Sequence, residues 1–334
     1  MRRPVPEGEF DLIRRLFAPL AAGEPGAFGL ADDAAVLLDT DFVVTKDLLV
    51  GGVHFPKGEP PGRAAKKALR ANLSDLAAKG AKPFGYFLGC VWPKGTTAGD
   101  IEALAAGLAE DQGAFRLSLL GGDTTLHVDK GGPLTISVTM LGLAPRDGLI
   151  RRNGARAGDD VYVSGTIGDA GLGLRAASEA KFLRGTDARA QLLDRYRAPT
   201  PRLSLGGALA GVAGAAIDVS DGLVADAGHL ASASGVAIDL DAARIPLSAA
   251  AAEWRDGEGD PAAAIAYLAS AGDDYEILFT APATRRRSVE MAGQVTKTQI
   301  TRIGAVRSGA GVRLIGPSGA VIAVERSGYD HFSE

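Results

Sequence analysis

The chain of 334 residues contains a single cysteine, Cys90, and only four histidines. An intrachain disulfide is excluded, and the absence of closely spaced Cys and His argues against a zinc site of those ligands. No excess of basic charge is present either. Thirty-six Lys and Arg stand against 40 Asp and Glu, a net charge of −4, so nothing in the overall charge attracts nucleic acid or acidic lipid. A polyanionic substrate would need locally arranged cations. No apolar run approaches the ~20 residues that a membrane span requires. Arg2 and Arg3 are followed by Pro4, Pro6 and acidic residues instead of the apolar stretch of a signal peptide. These absences predict a soluble protein of a reducing, cytoplasmic compartment.

The usual nucleotide and nucleophile signatures are missing as well. The sequence has no GxxxxGK[ST], no GxGxxG, no kinase-type HRD or DFG set and no GxSxG elbow. Asp239-Leu240-Asp241 comes near the DxDx[TV] of aspartyl-nucleophile phosphatases, but Ala243 stands where Thr or Val belongs, and the segment reads as a strand end and turn.

What is present is globular. A composition 46% hydrophobic and 23% charged, over a length of about two domains, predicts a mixed α/β architecture in which apolar period switches repeatedly between helix and strand. Helical stretches are expected at 9–20, 64–80, 99–113, 202–213 and 222–234. Strands are expected at Ala34–Leu38, Phe42–Thr45, Gly85–Trp92, Arg116–Leu120, Leu134–Leu141, Asp160–Ser164, Ala215–Val219, Val236–Leu240 and Glu276–Thr280. The polar segment Leu143–Asp159 reads as an interdomain connection, dividing the chain into 1–145 and 146–334.

The chemistry-bearing pattern is a series of aspartates at the ends of apolar runs beside small residues. They are Asp32 and Asp33 in LADDAAV, Asp47 in VVTKD, Asp75 in NLSDLAAKGA, Asp123 in LLGGDTT, Asp218 and Asp221 in IDVSDG, and Asp273 and Asp274 in AGDDYEILF. Singly, each is ordinary turn or cap chemistry. Asp75 is the exception, because Asn72, Ser74 and Asp75 interrupt a helical period with mediocre helix formers. Together the carboxylates suit Mg²⁺, which takes oxygen ligands and bridges them to phosphate. Glycines 121, 122 and 222 would let backbone amides approach those phosphates. Arg152 beside an interdomain cleft has the planar fork to grip phosphate, whereas Arg285–Arg287 read as a solvated face.

These motifs, in this order, resemble the thiamine-monophosphate kinase family of the aminoimidazole ribonucleotide synthetase superfamily. The likeness runs from GEFDLI (Gly8–Ile13) through LADDAAV, GGVHF, KALRANLSDLAAKGAKP, GGDTT, RNGARAGDDVYVSGTIGDA and IDVSDGL to AGDDYEILFT and GYDHF. It implies a two-domain α/β (α+β) subunit with mixed sheets flanked by helices, paired as a homodimer through the N-terminal domains. It also implies ATP and thiamine monophosphate as co-substrates, several Mg²⁺ ions, and direct transfer to give thiamine diphosphate. Carried over by position, Asp33, Thr45, Asp47, Asp75, Asp123, Asp218 and Asp221 would hold metal. Of these, Asp47, Asp75 and Asp123 would be central to catalysis. Gly122, Asp123, Arg152 and Ser220 would contact ATP, and His54, Asp273 and Tyr329 would border the thiamine phosphate.

The chain departs from the family pattern at Ala31 (for Gly), Lys46 (for Thr) and Asp273 (for Glu). On an extended strand, Lys46 is expected to face away from Asp47; if the strand turned there, its ammonium would instead enter the site and stand in for a cation. The apolar run Tyr86–Trp92 is equally consistent with core or subunit interface. Two rival readings stand beside the kinase: another ATP-using member of the superfamily, and a non-catalytic nucleotide- or thiamine-phosphate-binding protein. Selenophosphate synthetase implies a reactive Cys or selenocysteine near the N-terminus and the hydrogenase-maturation member a C-terminal Cys, and Cys90 is neither.

Overall fold

Alternating apolar residues in Phe42–Val50 and Thr135–Leu143 form two neighbouring antiparallel strands, paired from Phe42 opposite Leu143 to Val50 opposite Thr135. In this computed structural model the described residues are 13–21, 25–37, 40–183, 186–324 and 328–329. The first sheet has five strands in the order β1-β2-β5-β3-β4. They are β1 (Ala35–Val36), β2 (Phe42–Val50), β3 (Lys82–Trp92), β4 (Ser118–Leu126) and β5 (Thr135–Leu143), with β3 and β4 parallel and the other neighbours antiparallel.

One face of this sheet buries Val43, Leu49, Tyr86, Cys90, Ile136, Val138 and Met140 under α1 (Pro61–Ala78) and α2 (Ala98–Phe115). Pro61 opens α1, where its missing N–H costs nothing. A capping box of Thr97 and Asp100 opens α2. The opposite face of the sheet carries exposed Leu48 and Phe87.

The second sheet has seven strands, ordered β12-β11-β8-β10-β6-β9-β7. They are β6 (Asp160–Ser164), β7 (Ala215–Asp218), β8 (Ala237–Asp241), β9 (Ile277–Ala281), β10 (Ile300–Arg307), β11 (Gly311–Ile315) and β12 (Val321–Ile322). Every residue of β6, β7 and β9 is buried, as expected of strands covered on both faces. Helices α3 (Asp169–Ser178), α4 (Asp187–Arg197), α5 (Leu203–Leu209), α6 (Leu223–Ser234), α7 (Ala249–Gly257), α8 (Pro261–Ser270) and α9 (Arg286–Thr296) complete this half. Leu223, Leu230, Ile265 and Ala269 of α6 and α8 share one core cluster, and Leu205, Leu209, Val289 and Ala292 of α5 and α9 share another.

Helix α1 joins the halves. Leu69, Leu73 and Leu76 belong to the first core, whereas Ala77 joins Leu205, Ala216, Ile277 and Phe279 of the second half. The approach is close enough that a Cβ on Gly206 would lie 1.9 Å from the Ala77 carbonyl oxygen. Only glycine fits there. The connection after β5 is less polar in practice than its composition predicts, because Ile150 is buried in this shared cluster.

Two expected boundaries move in a way that matters. The strand expected to end at Thr45 continues through Lys46 and Asp47, which pair with Thr139 and Val138. The GGDTT segment, read as turn chemistry, lies within β4 against β3. A Cβ on Gly122 would fall 1.9 Å from the Leu88 carbonyl oxygen, so this glycine serves strand approach. Of the expected helix at 9–20, residues 9–12 lie outside the described residues; 13–17 form a π-helical turn and 18–21 a 3-10 turn.

Candidate active site in the interdomain cleft

A cleft of about 1330 Å³ opens between the two halves. Eight of the residues singled out from sequence line it: Asp47, His54, Asp75, Asp218, Ser220, Asp221, Asp273 and Tyr329. They arrive from β2, the turn after it, α1, the end of β7 and the loop that follows it, the segment before β9 and the C-terminal stretch.

The acidic centre is built by contact between these elements. Asp33, Asp75 and Asp218 each present a carboxylate oxygen within 4.8 Å of the other two. Thr45, buried on β2, donates its hydroxyl to Asp75 Oδ2 at 2.5 Å. Burial, reinforced by Asp47, Asp218 and Asp33, pushes Asp75 well above the carboxylate range. Burial likewise raises Asp218 to about 7, with Asp33 adding to the rise, and Asp47 to about 6. Asp33 is different. Burial favours its neutral form, but Arg152 and then Lys79 outweigh that and hold it at about 2.

Arg152 is thus engaged otherwise than its sequence reading predicts. Its Nε donates to Asp33 Oδ1 at 2.9 Å and its Nη2 contacts the same oxygen, so the fork grips a carboxylate of the protein. Lys79, unremarked in the sequence, is fully buried between Asp32 and Asp33. Lys46 lies on the opposite face of β2 from Asp47, with Nζ donating to Ser137 Oγ at 2.6 Å. The alternation expected for an extended strand holds.

Gly122 and Asp123 are not brought to this centre within one chain. The rows Asp47–Val138–Leu88–Gly122 and Leu48–Ser137–Gly89–Asp123 cross the sheet in register. Asp123 therefore shares a face with exposed Leu48, opposite Asp47, on the edge strand β4.

At the remaining side of the cleft, Asp273 has φ +70° and Tyr275 φ +51°, left-handed values that are sparse for residues other than glycine. Backbone bonds from Asp273 N to Ser220 O (2.7 Å) and from Tyr275 N to Val219 O (2.8 Å) enforce them. Tyr329 is tied to the same loop through its N–H and the Asp221 carbonyl. The Val50 amide donates to His54 Nδ1 at 3.0 Å, so a neutral His54 carries its proton on Nε2. Lys67, missed in the sequence as one more helical charge, has its side chain 2% exposed and lies 3.1 Å from Asp273 Oδ2.

Other acidic residues of the same motifs are structural. Asp274 accepts from Gly168 N and Ala170 N at the start of α3, and burial pushes it up to about 8. Glu276 takes Arg195, Arg202 and the Ser164 hydroxyl. Asp221, Asp226 and His229 form a second group of possible ligands, the last two also missed in the sequence. Asp226 Oδ2 accepts from the amides of Asp221 and Gly222, and burial lowers His229 to about 4.

Comparison with known proteins accords with this arrangement. Family models of the AIR synthase related protein match at residues 31–144 for its N-terminal domain and 156–316 for its C-terminal domain. The thiamine-monophosphate kinase of Caulobacter vibrioides is 46% identical over 310 residues, covering 92% of this chain and 86% of that protein. The chain belongs to the thiamine-monophosphate kinase family. It is accordingly an enzyme, a kinase. A solved structure of AaThiL complexed with AMPPCP and TMP superposes with a TM-score of 0.83 at 31% identity, covering 97% of each chain. The thiamine-monophosphate kinase of Stenotrophomonas maltophilia K279a superposes with a TM-score of 0.74 at 39% identity, over 92% of this chain and 96% of that one. Among the described residues no helix is long and apolar enough to cross a membrane.

Proposed function

We propose that the cleft transfers the γ-phosphoryl group of ATP to thiamine monophosphate, giving ADP and thiamine diphosphate by direct in-line displacement assisted by Mg²⁺. The observation that carries this reading is the convergence of Asp47, Asp75 and Asp218, none in an ion pair among the described residues, in a cleft that also presents His54, Asp273 and Tyr329. A relative 31% identical, solved with AMPPCP and TMP, supports the choice of co-substrates.

The donor set fits a hard divalent cation: carboxylate oxygens and the Thr45 hydroxyl, crowded so that burial and mutual repulsion raise the carboxylates toward neutrality. Asp47, Asp75 and Asp218 would hold the ions, beside an Asp33 that is engaged by Lys79 and Arg152, with Asp221 as a further ligand on the cleft wall. Bound there, Mg²⁺ would neutralise charge on the phosphates and on the transferring group. Ser220 offers its hydroxyl to ATP, and Arg152 reaches phosphate by releasing Asp33. His54, Asp273 and Tyr329 border the thiamine phosphate. Its phosphate, with a second pKa of about 6, is already an anionic nucleophile at neutral pH and needs no general base.

The division at 145/146 falls between β5 and β6, so each half keeps its own sheet. The exposed face of the first sheet, with Leu48 and Phe87, is the surface we assign to pairing with a second copy. Leu48 also lines the cleft. A partner on this face sets its own Gly122 and Asp123 beside the neighbouring cleft, which accounts for two site residues that do not reach the centre of their own chain.

Transfer from ATP made chiral at the γ-phosphorus tests the single displacement. Inversion is expected; retention would require a phosphoenzyme and overturn the direct route.

A further inference from the structure

We propose that Lys79 is a built-in cation of the acidic centre, occupying Asp33 in place of a divalent ion and so lowering by one the number of ions this chain binds. The proposal rests on the reading that these carboxylates hold divalent cations.

Lys79 follows the last turn of α1 and its side chain is wholly buried. An ammonium has three protons to place. Two are donated, to Asp32 Oδ1 at 2.8 Å and to the Ala216 carbonyl at 2.9 Å, and the nitrogen also lies 2.5 Å from Asp33 Oδ2 as an ion pair. The other oxygen of Asp33 receives Arg152. Both oxygens of Asp33 are therefore served by cations of the protein, whereas Asp47, Asp75 and Asp218 have no Lys, Arg or His within ion-pair distance among the described residues. A lysine that cannot withdraw to solvent and a divalent ion cannot share one carboxylate oxygen without strong repulsion.

The position of Lys79 also has a mechanical result. Asp32 and Asp33 precede the first sheet, and Ala216 lies on β7 two residues before Asp218. Through two hydrogen bonds and this ion pair, Lys79 holds Asp33 against Asp218 across the domain junction without a metal bridge.

The test is titration of the full-length chain with Mn²⁺, free ion followed by electron paramagnetic resonance, in wild type, Lys79→Arg and Lys79→Met. Wild type and Lys79→Arg are expected to bind equal numbers of ions, and Lys79→Met one more, with a larger rise in Tm on adding Mn²⁺. An unchanged count in Lys79→Met overturns the proposal. If Lys79→Met does not fold, the double variant Lys79→Met/Asp32→Asn removes a cation and an anion together. It too is expected to bind one ion more than wild type, and an equal count is again contrary. A wild type that binds no Mn²⁺ defeats the metal-centre reading itself, an outcome distinct from equal non-zero counts.

Discussion

Lys67 and Asp273 form an ion pair at 3.1 Å in which the lysine is buried and the aspartate is about one-quarter exposed to the cleft. The same ammonium donates to the His54 carbonyl at 2.9 Å and lies 3.7 Å from the centre of the Tyr196 ring. One buried cation thus fixes two of the residues assigned to thiamine phosphate. Burial lowers the Lys67 pKa, and Asp273 works against that. Lys67→Met is expected to raise KM for thiamine monophosphate at least tenfold, with a smaller change in KM for ATP. Because it leaves Asp273 without its partner, it should also cost about 3 kcal/mol of stability. Equal changes in both KM values would mean that Lys67 supports the fold alone.

Asp75→Asn and Asp218→Asn should each reduce turnover at least about a hundredfold. Without Mg²⁺, both should be more stable than wild type, by about 0.5–2 kcal/mol, since each removes an ionisable carboxyl that burial and its neighbouring carboxylates disfavour. Activity and thermal melting measured together check this. Unfolded variants, or folded variants of near wild-type activity, would make these residues caps and packing groups.

The pH dependence follows with a definite sign. Asp47, Asp218 and Asp274, raised to about 6, 7 and 8 by burial, keep protons in the folded chain that the unfolded chain releases near pH 4. The metal-free protein therefore loses stability as pH rises from about 4 to 8. His229, lowered to about 4 by burial, opposes this only between its folded value and about 6.5. Tm without metal should fall from pH 5.5 to pH 8, and added Mg²⁺ should stabilise more at pH 8. A metal-free Tm that climbs over this range would contradict the assignment of uncompensated buried carboxylates.

Pairing through the first sheet predicts a dimer by light scattering at micromolar concentration and a folded monomer for Phe87→Glu. It also predicts complementation. When inactive Asp75→Asn and Asp123→Asn chains are mixed and allowed to exchange, half of the sites in each mixed dimer combine an intact Asp75 with the partner's intact Asp123. Activity should reappear. Continued inactivity in demonstrated heterodimers would place Asp123 with its own chain or outside catalysis.

Much of this was legible in the sequence where periodicity is strong and caps are plain. The strand expected at Asp160–Ser164 is β6 to the residue, and the helix expected at 64–80 is α1 with ends shifted by a few positions. Apolar periodicity does not mark helices α3, α4, α7, α8 and α9 or strands β10 to β12. Two glycines weaken the helical period of α3, and β12 is only two residues long. Three of these helices nonetheless carry side-chain N-caps, Thr186, Ser248 and Asp260, a signal that propensity and periodicity leave unused. At the site, the aspartates stood out by motif, but Lys67 and Lys79 did not. A lysine on a helix reads as a solvated charge until the second half of the chain closes over it.

Phosphoryl transfer to a phosphate acceptor is tested most directly by ADP release from ATP and Mg²⁺ with thiamine monophosphate or free thiamine, the product identified by chromatography. ADP and thiamine diphosphate should appear together with thiamine monophosphate and be absent with thiamine or when Mg²⁺ is withheld. Equal or faster ADP release with thiamine, or none with either acceptor, would contradict the account.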